Sequence, residues 1–169
     1  MLKPAFRLII VGVMSLISLN CYALEGHYAD SFRKNLWIII DRHPAYSWGG
    51  SESERKGVDC SGYLYLVAKR SGIPVKRITA IQMRFGAGGW IGKDTNLGDA
   101  GELDLVWWTW IDKPHRPYGH VGVVLTGRQS GLFEVTHSSS SRGVVVQELK
   151  GQLFRDISAV RRLDIGDRQ

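Results

Sequence analysis

Cys60 stands inside the stretch KGVDCSGYL, Lys56 to Leu64, at the predicted first turn of a helix. A thiol acts as a nucleophile when three things surround it: something that favours the thiolate, an adjacent base, and donors for the oxyanion formed on attack. A helix N-terminus supplies part of the first, because its unbonded N–H groups favour negative charge. The flanking Gly57 and Gly62 let another chain or a substrate come close. On this reading Cys60 is enriched in thiolate, and an alkylating agent labels it faster than a simple thiol near neutral pH. The competing reading is an inert structural cysteine at a helix start. The polar Asp59 and the small neighbours weigh against it.

The base must come from elsewhere in the chain. The five histidines are His27, His43, His115, His120 and His137. His27 and His43 flank a helix and have no strand to fix them, and His115 lies in a Pro-rich loop, DKPHRPYG. His120 and His137 remain. The segments His120–Thr126 and Gly131–His137 read as a hairpin around Gly127-Arg128-Gln129-Ser130. Pairing Thr126 with Gly131 places His120 directly opposite His137, on one face, with Cβ atoms about 4.5–5.5 Å apart. One ring can then act as base while the other fixes its tautomer. A bulge would shift the register by one residue and turn one ring away. A zinc site from Cys60, His120 and His137 is disfavoured: the set lacks the short ligand spacing and a clear fourth ligand.

These residues need a scaffold, and the apolar pattern outlines one. Asp30–Arg42 carries Phe32, Leu36, Ile39 and Ile40 on one helical stripe and ends near His43-Pro44. Cys60–Ser71 predicts a second helix that buries Leu64, Val67, Ala68 and Ser71 with Cys60, with Gly72 as cap and Pro74 as stop. A short helix is expected around Ala80–Phe85. Gly86–Gly101 reads as a glycine-rich loop without the ending of a phosphate loop. The period then becomes strand-like, with strands expected at Leu103–Trp108, His120–Thr126, Leu132–His137, Gly143–Leu149 and Ser158–Leu163. Helices followed by adjacent strands predict an α+β fold, with the nucleophile at a helix N-terminus packed on an antiparallel sheet of about five strands.

The first 23 residues read as an export signal. Lys3 and Arg7 precede the apolar run Leu8–Leu19, which is too short to span a bilayer, and Cys21-Tyr22-Ala23 offers a cleavage site after Ala23. Lipidation at Cys21 is opposed by Asn20 and Ser18, where that signal wants other residues. Residues 24–169 then form a single domain that does not insert stably into a membrane after processing, exported to the periplasm or the extracellular space. Removing Lys3 and Arg7 takes the net charge from +6 to +4. No basic run with interleaved aromatics appears, which argues against nucleic acid. With Cys21 gone, Cys60 is an odd thiol in an exported protein, unpaired by accident or kept to react.

Five short segments together resemble the NlpC family of papain-like peptidoglycan endopeptidases. They are Tyr46-Ser47-Trp48-Gly49-Gly50, Asp59-Cys60-Ser61-Gly62, Asp104-Leu105-Val106, His120-Val121-Gly122 and His137-Ser138-Ser139, and they span about residues 30–149. The resemblance implies Cys60 as nucleophile, His120 as general base and later acid, and His137 as the orienting third member. It implies Tyr46 as a hydroxyl donor to the oxyanion beside the backbone N–H of Cys60, and Asp59 and Ser61 in the pocket for the substrate peptide. The implied substrate is a peptidoglycan stem peptide, cut between γ-D-glutamyl and a diamino acid through an acyl-enzyme, with no cofactor and no metal. An amidase or acyltransferase on the same fold is the nearest alternative. A catalytically idle domain that binds wall peptides is another, and the intact Cys60, His120 and His137 set argues against it. No sequence signal identifies a regulatory or immunity partner. Three departures from the family pattern stand out: Leu103 where a glycine precedes the aspartate, a long interval between His120 and His137, and the aromatic insertion Trp107–Gly119. Trp48 and Trp90 are expected to frame the groove. Trp107, Trp108 and Trp110 read as core or rim, and Ser138–Ser141 as a polar turn.

Overall fold

The computed structural model describes residues 28–108, 119–127 and 132–164. The export signal with Cys21, His27, His115, Trp110 and the last five residues lie outside the described residues. The described part is α+β: helices packed on a six-stranded antiparallel sheet.

Helix α1 covers 28–41, and Phe32, Leu36, Ile39 and Ile40, the expected stripe, are all buried. Helix α2, Cys60–Arg70, begins at the nucleophile candidate. Its end follows from one glycine. Gly72 adopts φ 75°, the amide of Gly72 donates to Lys69 O, and that of Ile73 donates to Ala68 O. This αL cap satisfies carbonyls that the helix end leaves without partners. A short helix, α3, spans Ala80–Arg84 under a reciprocal Thr79–Gln82 capping box.

The strands are β1 Gly92–Thr95, β2 Leu105–Trp108, β3 His120–Thr126, β4 Glu134–Ser139, β5 Gly143–Glu148 and β6 Ile157–Leu163, in sheet order β1-β6-β2-β3-β4-β5. A last short helix, α4, spans Gly151–Arg155 between β5 and β6. Strand β2 is buried along its whole length, with Trp107 packed among the side chains of α1, α2 and α3 and Trp108 on the opposite face toward α4. Two apolar layers therefore sandwich the middle of the sheet. The indole N–H of Trp107 donates to Ala80 O (2.8 Å) and that of Trp108 to Leu153 O (3.0 Å), so neither buries an unsatisfied donor.

Three sequence expectations need correction here. The glycine-rich loop contains a sixth strand: β1 pairs with β6, Gly92 opposite Leu163. Its GKDT sequence has no apolar alternation, so the strand exists because β6 offers an edge. A Cβ at Gly92 would lie 2.2 Å from Arg162 O, which is why glycine stands there. Trp90 is core rather than groove, 2% exposed, with its indole N–H on Lys76 O. Ser138 and Ser139 belong to β4 rather than to the turn that follows it.

Leu103 is a further finding. It adopts φ 66° while nearly fully buried. A left-handed leucine costs about 1–2 kcal/mol. Burial of its side chain, worth about 1.5–3 kcal/mol, offsets that cost. Its amide still bonds Val124 O, so the chain enters β2 in register despite the missing glycine.

Candidate active site

The site forms where the β3–β4 ladder ends. Strands β3 and β4 pair at Val124↔Val135 and Val123↔Thr136 and no further toward His120. Beyond that point β3 stays paired with β2 as far as Trp108↔His120, and β4 with β5 as far as Ser139↔Gly143. The start of α2 packs against both strands. The hydroxyl of Ser138 donates to Val58 O (2.8 Å), and Tyr63 Oη pairs with Thr136 Oγ1 (3.0 Å). The backbone amides of Val121, on β3, and Ser61, at the helix end, both favour the thiolate form of Cys60.

Asp59 fixes that helix end. Its Oδ1 accepts from Gly62 N (2.6 Å) and from the Ser61 hydroxyl (3.1 Å), and its Oδ2 accepts from Gly49 N (3.0 Å). The carboxylate is therefore an N-cap and also a clasp for the Tyr46–Gly50 loop. Arg77 closes the cluster, donating to Asp59 Oδ2 (2.6 Å), to the Ser61 hydroxyl (2.8 Å) and to Ile78 O. The loop approaches so closely that a Cβ at Gly62 would lie 1.9 Å from Gly50 O. Glycine at position 62 is a packing requirement. Asp59 and Ser61 are both buried, and their polar atoms bind protein partners. Tyr46 is half-buried, next to both Cys60 and Asp59. Burial, then those two neighbours, raise its hydroxyl pKa, so it stays protonated and able to donate.

The histidines meet, but not by the expected register. Extending the Val123↔Thr136 pairing brings Gly122, not His120, opposite His137, a shift of two residues that accompanies a bulge between Val124 and Thr126. Because side chains alternate with period two, that shift preserves the face. The rings therefore still pair, diagonally: His120 Nε2 lies 2.8 Å from His137 Nδ1, with the rings edge to face. A Cβ at Gly122 would lie 3.2 Å from His137 Cβ and 2.9 Å from Thr136 O. The glycine leaves room for the diagonal. Trp108 packs against both imidazoles, with ring centroids 5.3 and 5.8 Å away. Further along β5, Gln147 Oε1 lies 3.1 Å from His137 Nε2 and 2.8 Å from Arg142 Nη2.

Burial dominates the electrostatics. It lowers His120 to about 3, with His137 as the second cause, and it lowers His137 in the same direction. Burial, then Asp59, raises the Cys60 thiol to about 11, against the smaller help of the Val121 and Ser61 amides. Desolvation thus opposes the thiolate enrichment that the helix N-terminus favours. Burial favours the neutral thiol and neutral imidazoles. Transfer of the thiol proton to a neighbouring imidazole would create an ion pair with no net charge, in a place where a lone charge of either sign is costly.

Cys60, His120, His137, Tyr46, Asp59 and Ser61 are thus gathered at one end of the sheet. Arg77, Arg142 and Gln147 are the partners that the sequence reading missed. Gln147 had a signal: it ends the run Gly143-Val144-Val145-Val146 as a polar residue on the face of β5 that His137 shares on β4. Trp48, 83% exposed, stands beside the site in the clasped loop. A cavity of about 310 Å³, lined by Leu132, Phe133, Leu149 and Phe154 among others, lies elsewhere on the molecule.

The comparisons with known proteins agree with this fold. No curated protein matches the chain. A lipoprotein-like member of the NLP/P60 family from Staphylococcus aureus superposes with a TM-score of 0.56 at 20% identity, over 77% of this chain and 41% of that one. The peptidoglycan hydrolase RipB from Mycobacterium tuberculosis superposes with a TM-score of 0.52 at 19% identity, over 79% of this chain and 66% of that one. The chain therefore spans less than half of the first and just under two thirds of the second, and at these identities the likeness is one of fold. The profile of the NlpC/P60 family matches residues 43–162, from just before Tyr46 to the end of the last strand. By that match over most of its length, the chain belongs to the NlpC/P60 family.

Proposed function

We propose that this protein is an exported cysteine peptidase that cleaves peptidoglycan stem peptides, at the bond between γ-D-glutamyl and a diamino acid. The observation that carries the reading is the arrangement at Cys60: a sulfur at a helix N-terminus, favoured as thiolate by the backbone amides of Ser61 and Val121, with His120, the residue before Val121 on β3, paired with His137 at 2.8 Å. Cys60 Sγ attacks the scissile carbonyl carbon as its proton passes to His120. The oxyanion is met by the Tyr46 hydroxyl and the backbone N–H of Cys60. His120 then gives its proton to the leaving amine, which departs and leaves an acyl-enzyme. Water, losing a proton to His120, attacks the thioester carbon; the C–S bond breaks, Sγ takes the proton back from His120, and the new carboxylate leaves. His137 orients His120 throughout. Asp59 and Ser61 shape the pocket for the peptide, Asp59 by holding the Tyr46–Gly50 loop against α2.

Digestion of purified sacculi tests this. The wild type is expected to release muropeptides with new γ-D-glutamyl carboxyl ends, identified by mass spectrometry, and Cys60→Ala to release none while keeping a native circular dichroism spectrum. Release by Cys60→Ala would remove the nucleophile assignment. Separation of lactyl groups from peptides would replace the endopeptidase with an amidase.

A further inference from the structure

Arg142 and Gln147 bracket β5 and have no role in the chemistry described above. Arg142 Nη2 and His137 Nε2 both contact Gln147 Oε1, at 2.8 and 3.1 Å. A guanidinium can only donate. The amide atom it touches is therefore the oxygen, and turning the amide over would set its NH₂ against a cation. The imidazole nitrogen that faces the same oxygen must then carry a proton, so His137 holds Nε2–H. Burial and the Arg142 charge keep His137 neutral, which leaves the lone pair on its Nδ1. His120 Nε2, 2.8 Å from that Nδ1, must donate to it. A neutral His120 then bears its lone pair on Nδ1.

We propose that Arg142 and Gln147 are positioning residues that set the tautomers of His137 and His120 through a one-way chain of hydrogen bonds, leaving Nδ1 of His120 to take the Cys60 proton. The chain runs Arg142 to the Gln147 oxygen, His137 to the same oxygen, and His120 to His137. Only the last clause rests on the catalytic reading above. The physical point is that two neutral imidazoles in contact have two equivalent arrangements, and only one puts the base atom where it is needed. Gln147 alone would not choose, since a free amide presents either its oxygen or its NH₂. Arg142 removes the choice.

The test is a long-range ¹H–¹⁵N spectrum of the histidine-labelled full chain at neutral pH, which shows which ring nitrogen carries the proton and needs no substrate. The wild type is expected to show Nε2–H at both His120 and His137. Gln147→Leu removes the acceptor and shifts both rings toward Nδ1–H, with kcat down about 10- to 100-fold and KM little changed. Gln147→Glu keeps an acceptor at the same place, retains Nε2–H at both rings and recovers activity relative to the leucine variant. Arg142→Met frees the amide and gives a smaller shift, which Arg142→Lys reverses. Both side chains lie at or near the surface, so these variants should keep the wild-type backbone amide spectrum. Wild-type tautomers in Gln147→Leu, or Nδ1–H at His120 in the wild type, would overturn the proposal even in an active enzyme. Tautomers that move as described in a protein inert toward sacculi would uphold it and remove the proposed substrate instead.

Discussion

The two flanks of Cys60 are built from opposite materials. On one side Asp59, Ser61 and Arg77 form a buried, charge-paired cluster, with Asp59 and Arg77 side chains only 10% and 26% exposed. On the other side His120, His137 and Gln147 form a chain held neutral by burial. The charged flank holds the backbone: it caps α2, clasps the loop of Tyr46 and leaves no mobile proton. The neutral flank holds protons that can move. Two uncharged rings on the aspartate side could not secure a helix end and a loop together.

The comparison breaks most visibly at His120. His120→Gln should lower kcat about 10²–10⁴-fold in sacculus digestion with a smaller effect on folding, because it removes the mobile proton while the charged flank still holds α2 and the loop. Asp59→Ala should do its damage in folding. It strips α2 of its cap and leaves a half-sheltered Arg77 without its carboxylate, an expected loss of about 3–5 kcal/mol in denaturant unfolding. A pH series separates the flanks in one protein. The folded-state pKa of His120 lies near 3, below the ordinary 6.5, so the unfolded chain binds more protons between those values. Stability on this account is full above about pH 6.5 and falls as pH drops toward 3, and His120→Gln should flatten the melting-temperature curve in that window. Cys60 acts oppositely. Its thiol, raised from 9.0 to about 11, contributes stability that is lost as pH rises through that interval, a loss Cys60→Ala should abolish. The smallest effect is expected at Ser138→Ala. It leaves Val58 O without its hydroxyl donor from β4, about 1 kcal/mol in the same unfolding measurement.

Legibility followed the same division. The α1 stripe, the start of α2 at Cys60 and the span of β3 could be read directly, because each is fixed by local periodicity or a cap. Strand β1 could not, since GKDT gains strand character only from the edge of β6. The pairing of His120 with His137 was legible for a partly mistaken reason. The assumed register was two residues off, and the period of two preserved the shared face. Trp90 looked like a groove residue beside glycines, yet its indole is buried in the core and donates to Lys76 O. Arg77 carries no motif. Its place beside Asp59 arises from the path of the chain between α2 and α3.

By itself the sequence determined which residues could react and which segments would carry them. A lone thiol at a capped helix start, two histidines at strand positions of equal parity and a clasping glycine loop are local facts of type and spacing. Only the tertiary structure decided their protonation. Packing α2 against β3 and β4 helps bury the thiol and both imidazoles, and desolvation, which depends on everything that surrounds a group, opposes the helix N-terminus that local sequence supplies.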